Sequence, residues 1–507
     1  MTGDLVLGID CSTTAAKAVV WDRSGRALST GRAAFALSSP HEGWGEQDPL
    51  DWWKAVAAAI ATACGRIDPS RLAALSITHQ RETFVCLDEA GHALRPAILW
   101  LDTRATQEVE AFGSDAVHAT TGKPPNSATS WYKLMWLKAH EPLVLDRARH
   151  IVDVHGYLVQ RLTGEWRTSY GSVDSLGVLD LNTFTLDPGL LERAGLRAEQ
   201  FGEICPPGTV LGTVRGDVAD LLGLRHGLPV VAGLGDGQAA ALGAGIARPG
   251  DAYLNLGTGI VSGMFSADYK TDRAFRTMTG GVPGTYVIET FFGGGTYNVN
   301  WFVNNFSDIG PRPFGLDLAP ERVLEAAAAD LPPGSGGLLF LPYLTGVLTP
   351  YWDSNARGVL FGLTGQHGKA HLYRAMLEGL AMETRLSTAG AELATGLRAG
   401  RFLVMGGGAR SPLWCQIIAD VLVRPIVVAR EDEATCLGAG MLAATAAGLY
   451  ADVAEASLCM SGTGRSYHPD PATAAGYDRL FDIHKTLYPA LRDQFRRLRE
   501  VTLEIGQ

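Results

Sequence analysis

The sequence predicts an α/β protein of two related domains facing a shared cleft. Short apolar runs alternate with amphipathic helical stretches, the pattern of α/β architecture. At 507 residues the chain is too long for one ordinary core. A strand–turn–strand opening at residues 5–21 also recurs just after residue 250, with the same layout and different residues.

The first half opens with strands at 5–9 and 16–21 around LGIDCSTTAAK, then a Ser24-Gly25 turn. A helix is predicted over about 49–63, with Asp48 as N-cap and Pro49 in its first turn. Strands follow at 72–77, 83–87 and 97–101, and helices near 131–140 and 155–162. The apolar run LPVVAGL then ends in GDGQ, and an Ala/Gly-rich helix carries on to Ile246. Pro249-Gly250-Asp251 punctuates the chain, which sets the domains at 1–248 and 249–507. The second half begins with DAYLNLGTGIVSGM, the echo of the opening. An apolar stretch at 338–343, a helix over 371–386 and the strand RFLVM follow. Three glycines then lead into a helix with Ser411 as N-cap and Pro412 next, and the tail from about 475 reads as a surface helix.

Composition excludes several function classes. Hydrophobic residues at 46% and charged residues at 19% describe a soluble globular chain. A net charge of −10 without any block of Lys and Arg argues against nucleic-acid and anionic-membrane partners. Seven scattered cysteines with no CxxC spacing argue against disulfide frameworks and structural zinc. The N-terminus lacks the basic and apolar pattern of a secretory signal, so the expected location is cytoplasmic.

Several segments could carry chemistry, and each has a plain structural alternative. Asp10 and the small residues after it read as a hairpin turn or as a loop for nucleotide phosphates. Gly257-Thr258-Gly259 offers backbone N–H groups and a hydroxyl to phosphate, or simply turns a hairpin. Gly406-Gly407-Gly408 lets backbone approach a nucleotide, or punctuates a strand and a helix. None of these is a Walker loop, since GxxxxGK[ST] is absent. Asp236, between glycines at a strand-to-helix junction, is an N-cap or a proton acceptor held ionised by the helix N-terminus. Arg81 and Glu82 form a solvated pair or grip adjacent hydroxyls of a polyol, one donating and one accepting. Trp100 is a core aromatic or stacks on a sugar, and His79 reads as structural.

These segments, in this order, resemble the FGGY carbohydrate kinases over nearly the full chain, in their xylulokinase-like and glycerol kinase-like branches. GIDCSTTAAK, GWGEQDPLDWW, PAILWLDTRA, YKLMWL, GLGDGQAAALG, FLPYLTG, RGVLFGLTGQHGKAHLYRAMLEG and GGGARSPLWCQIIADVL carry the resemblance. It implies two actin-like ATPase (ribonuclease H-like) domains with ATP and Mg²⁺ between them. It also implies transfer of the γ-phosphoryl group to a primary hydroxyl of a small ketose or polyol. Carried over, Asp236 is the base and Asp10 places the metal. Thr13, Thr14 and Lys17 meet the phosphates from one domain and Thr258 from the other, while Gly407 and Ser411 border the adenosine. Arg81, Glu82 and Trp100 line the acceptor site. A xylulose-like pentulose is the first expectation, and glycerol or another polyol the alternative. His79-Gln80-Arg81-Glu82 replaces the Met-His-Gly of xylulokinases, and Pro350-Tyr351-Trp352-Asp353 is similar to glycerol kinases. Ala128 and Gly237 replace an aromatic and an amide, which predicts one open pocket wall. A sugar sensor or an actin-like ATPase working on protein partners is the reading from another class, and a homodimer is left open as the assembly.

Overall fold

The computed structural model describes residues 3–306, 320–431 and 433–505. Among them, two large sheets organise the chain. The first runs Val210–Thr213, Pro229–Gly235, Leu72–His79, Leu5–Cys11, Ala15–Trp21 and Ala27–Ala34. The second runs Arg276–Thr279, Tyr286–Phe292, Ile260–Ser266, Asp251–Leu256, Arg401–Met405, Ile426–Ala429 and Thr463–Tyr467. In both, the first strand of the opening hairpin pairs antiparallel with its successor and parallel with a later strand. The echo seen in sequence is therefore an echo of topology.

Local signals place most elements. Asp48 caps Pro49–Cys64 by accepting from Leu50 N–H at 2.9 Å. Asp153 caps Val154–Thr163 through Gly156 N–H at 2.6 Å, and Ser411 caps Pro412–Leu422 through Trp414 N–H at 3.1 Å. The predicted helix over 371–386 extends to Lys369–Thr395, and the tail is one long helix, Pro471–Ile505. Tyr477, Phe481, Leu487, Tyr488 and Phe495 seat that tail in the second half's core. Among the described residues, no helix is long and apolar enough to cross a membrane. All seven cysteines are free thiols, six of them buried.

Two expectations need correction. The segment 97–101 is a strand only over Ala97–Ile98, in a small sheet with Glu46–Gln47, Phe84–Leu87 and His150–Asp153. Beyond it the chain turns, because Leu99 C=O accepts from Asp102 N–H and from the buried Lys133 ammonium at 2.6 Å. The helix expected to reach Ile246 spans only Asp236–Gly243, with Gly245 following at φ 92°.

The halves are interlocked by an exchange of helices. Asp236–Gly243, from the first half, buries Ala240 and Ala241 with Tyr253, Leu403 and Met405 of the second sheet. Ala434–Ala446, from the second half, buries Cys436, Leu437 and Met441 with Val6, Val19 and Val231 of the first. The two helices cross at glycines with no room for a side chain. A Cβ on Gly243 would lie 1.9 Å from Ala434 C=O, and one on Gly438 would lie 2.0 Å from Ala239 C=O. Asp236 opens the first of these crossing helices.

Candidate active site

Asp10, next to last in the first strand, stands directly opposite Lys17 across the hairpin. Its Oδ1 is buried without a hydrogen-bond partner. Burial pushes its carboxyl up to about 8, with the negative charge of Asp236 adding to this and Lys17 opposing it. An orphaned, electrostatically crowded carboxylate of this kind suits a divalent cation. Among the described residues no group of three acidic, His or Cys side chains could hold a metal alone. A cation at Asp10 would therefore take most of its oxygen ligands from outside these side chains. Lys17 Nζ lies 2.5 Å from Glu433 Oε2, at the start of the exchanged helix. Thr13 is held from two sides: its carbonyl accepts from Gln47 at 2.6 Å, and its hydroxyl accepts from the Trp100 indole at 2.9 Å. Thr14 is exposed.

In the second hairpin, Thr258 is exposed at the tip, and the carbonyls of Gly257 and Thr258 are anchored by Thr296 N–H and Gly295 N–H, each at 2.8 Å. Gly407 is exposed, and a Cβ added to it would lie 3.9 Å from the Thr296 methyl group. The Ser411 hydroxyl, besides its capping bond, donates to Glu325 at 2.6 Å. Its proton is therefore already committed within the protein, to Glu325.

Asp236 is the first residue of its helix, with Gly235 as N-cap, and its side chain is 40% exposed. Both of its contacts use Oδ1: Gly237 N–H donates at 2.7 Å and Arg81 Nε lies at 2.9 Å. Among the described residues, no hydrogen bond is made to Oδ2. Arg81 is buried and runs along the helix start where side chains are missing. A Cβ on Gly235 would stand 2.5 Å from Arg81 Cγ, and one on Gly237 would stand 2.8 Å from its Cζ. The open wall expected at Gly237 is thus filled by the Arg81 guanidinium.

The far side of Arg81 leads into the second half. Its Nη1 lies 3.2 Å from Glu289 Oε2. Glu289 also accepts from Arg276 and from the Tyr253 hydroxyl at 3.0 Å, and Arg276 Nη1 returns to Glu82 Oε1 at 3.1 Å. Burial alone would raise the Glu289 carboxyl, but the guanidiniums of Arg276 and Arg81 outweigh it and hold it at about 2. Glu82 has a left-handed backbone, φ 51°. Ser175 Oγ accepts from its N–H at 3.1 Å, and Lys133 Nζ donates to its carbonyl at 3.2 Å. Burial depresses the Lys133 ammonium to about 7. Behind this wall, buried Asp174 accepts from Lys123, Gln238 and Thr279.

The structure therefore groups Asp236, Arg81, Glu82 and Asp10, and links Trp100 to them through Thr13. It adds Glu289, Arg276, Tyr253, Lys133 and Glu433, which sequence reasoning did not single out as site residues. Lys133 lies within the YKLMWL stretch and is the one of these with a signal to follow.

Two actin-like domains with paired hairpin loops and an acidic residue at a helix start define a phosphotransferase of the carbohydrate kinase class. The N-terminal domain of the FGGY family of carbohydrate kinases matches residues 5–243, and its C-terminal domain matches residues 252–447. The chain belongs to the FGGY family of carbohydrate kinases. It is 28% identical over 505 residues to the xylulose kinase of Bacillus subtilis, covering 96% of this chain and 97% of that one. It is 33% identical over 466 residues to the glycerol kinase of Citrifermentans bemidjiense, covering 88% and 91%. The crystal structure of xylulose kinase from Rhodospirillum rubrum superposes with a TM-score of 0.89 at 31% identity, covering 97% and 100%. Kinship with metabolic kinases sets aside the sensor and protein-directed ATPase readings.

Proposed function

We propose that this kinase transfers the γ-phosphoryl group of ATP to a primary hydroxyl of a small ketose or polyol, with a xylulose-like pentulose first. The observation that carries this reading is the Asp236 carboxylate, bonded through Oδ1 alone and flanked by Arg81. Asp236 accepts the proton of the attacking hydroxyl while Arg81 and Glu82 hold neighbouring hydroxyls and Trp100 covers the sugar face. Little basicity is needed, because positioning and charge neutralisation lower most of the barrier. Thr13, Thr14 and Lys17 meet the phosphates from the first hairpin and Thr258 from the second. Gly407 and Ser411 border the adenosine, the Ser411 hydroxyl proton being already given to Glu325. Asp10 would hold Mg²⁺, which neutralises phosphate charge when bound. The domains divide at 248/249, each supplying one hairpin.

Glycerol or another polyol is the second reading, favoured by the adjacent Arg81 and Glu82 in the run Gln80-Arg81-Glu82-Thr83. The test is a panel of pentuloses, hexuloses, glycerol and tetritols assayed for acceptor-dependent ADP production. Asp236→Asn is expected to lower kcat by a factor of about 10³ or more while ATP still binds. Turnover within about tenfold of wild type would remove Asp236 from the role of base.

A further inference from the structure

Arg276 and Glu289 face each other on paired strands of the second sheet. Their charges nevertheless act on the first half. In order, Asp236, Arg81, Glu289, Arg276 and Glu82 form one chain of alternating charge that leaves the first half at Arg81 and returns to it at Glu82. Glu289, 1% exposed, is held by three protein donors, since the Tyr253 hydroxyl reaches it beside the two guanidiniums. A buried carboxylate bound this way has one orientation, and charge-assisted bonds pass that orientation to their partners.

The consequence falls on Arg81. An Arg facing a single carboxylate prefers a two-pronged fork. Here Glu289 takes Nη1 on one side while Nε faces Asp236 on the other, so the guanidinium is shared between two carboxylates. Without Glu289 that second anchor is lost and the guanidinium is free to reorient about Asp236. Glu82 is constrained in the same manner: Lys133 and Ser175 hold its strained backbone from behind, and Arg276 holds its carboxylate from the other half.

We propose that Glu289 and Arg276 are positioning residues for the acceptor, two second-half side chains that set Arg81 and Glu82 in their binding geometry. Acceptor recognition then requires the two halves to be apposed, although its contact residues lie in the first. This rests on the reading of Arg81 and Glu82 as acceptor-binding residues.

The test measures KM for the best acceptor and for ATP, with thermal unfolding, in wild type, Arg81→Gln, Tyr253→Phe and the charge-balanced double variant Glu289→Gln/Arg276→Gln. Tyr253→Phe is expected to raise acceptor KM about two- to fivefold and the double variant about tenfold or more, each with ATP KM within about twofold. A purely structural role would lower the active fraction, hence apparent kcat, and leave both KM values in place. That pattern in both variants overturns the proposal. Should the double variant not fold, Tyr253→Phe decides alone, because it removes one hydroxyl and no charge. Arg81→Gln separates the two levels: an unchanged acceptor KM there overturns the acceptor assignment itself. A raised one, with unchanged KM in the other variants, overturns only the role of Glu289 and Arg276.

Discussion

Lys17 and Glu433 stand 416 residues apart in the chain and 2.5 Å apart in space. The lysine proposed for phosphate binding is thus paired with a carboxylate from the opposite half. Both groups are partly exposed, so the pair is worth at most about 1 kcal/mol. On the proposed role of Lys17, the phosphates of ATP would have to displace Glu433 and tolerate its charge nearby. Glu433→Gln is therefore expected to lower KM for ATP by about two- to fivefold, with the unfolding midpoint unchanged. Steady-state kinetics at saturating acceptor check this, and a raised KM would show that Glu433 instead holds Lys17 ready.

Gly237 owes its identity to Arg81. An alanine there would push its Cβ to within 2.8 Å of the guanidinium carbon and tilt Arg81 off Asp236. Gly237→Ala is expected to raise acceptor KM about tenfold and to cost about 1–2 kcal/mol of stability from overpacking. ATP KM should stay constant, and kinetics beside thermal unfolding separate the two effects.

Lys133 makes stability depend on pH. Its folded pKa is depressed to about 7 from 10.5. Between those values the unfolded chain binds a proton that the folded chain does not, so stability rises with pH across this window. The stability is fully present above 10.5 and lost as pH falls towards 7. The whole gap is worth roughly 4–5 kcal/mol. Denaturant unfolding at about pH 7 and about pH 9.5 should show the rise, and Lys133→Met should flatten it.

The helix crossing predicts a contrast between two glycines. At Gly438 a Cβ would meet the Ala239 carbonyl at 2.0 Å, whereas at Gly476, in the tail helix, nothing lies within 4 Å. Helix propensity favours alanine at both by about 1 kcal/mol. Gly476→Ala is expected to realise that gain. Gly438→Ala should lose about 2 kcal/mol or more, because two helix backbones must separate. Thermal melts of the two variants, moving in opposite directions, check the crossing.

Capping was legible because it is decided within three residues. Asp48 before Pro49 and Ser411 before Pro412 mark helix starts in any context, and the structure uses them so. Asp10 and Asp236 stood out as candidates because each is a carboxylate among small residues at the end of an apolar run. The strand expected at 97–101 failed because Lys133, 34 residues away from Leu99, takes the carbonyl that a ladder would have used. The open wall at Gly237 failed for a related reason: sequence records the missing side chain, and Arg81 arrives from another strand's end to fill the space.

By itself the sequence determined two echoing α/β halves, their hairpin loops, most helix starts and a candidate base between glycines, all written in hydrogen bonds and periodicities spanning a few residues. Only the tertiary structure decided that Glu289 and Arg276 bond to Arg81 and Glu82, that Glu433 meets Lys17, and that each half lends a helix to the other's sheet. A charged residue on a strand carries no local sign of its partner. Coulomb contacts and glycine-sized gaps exist only once distant backbones have been brought together, and there the ends of separate elements meet around Asp236.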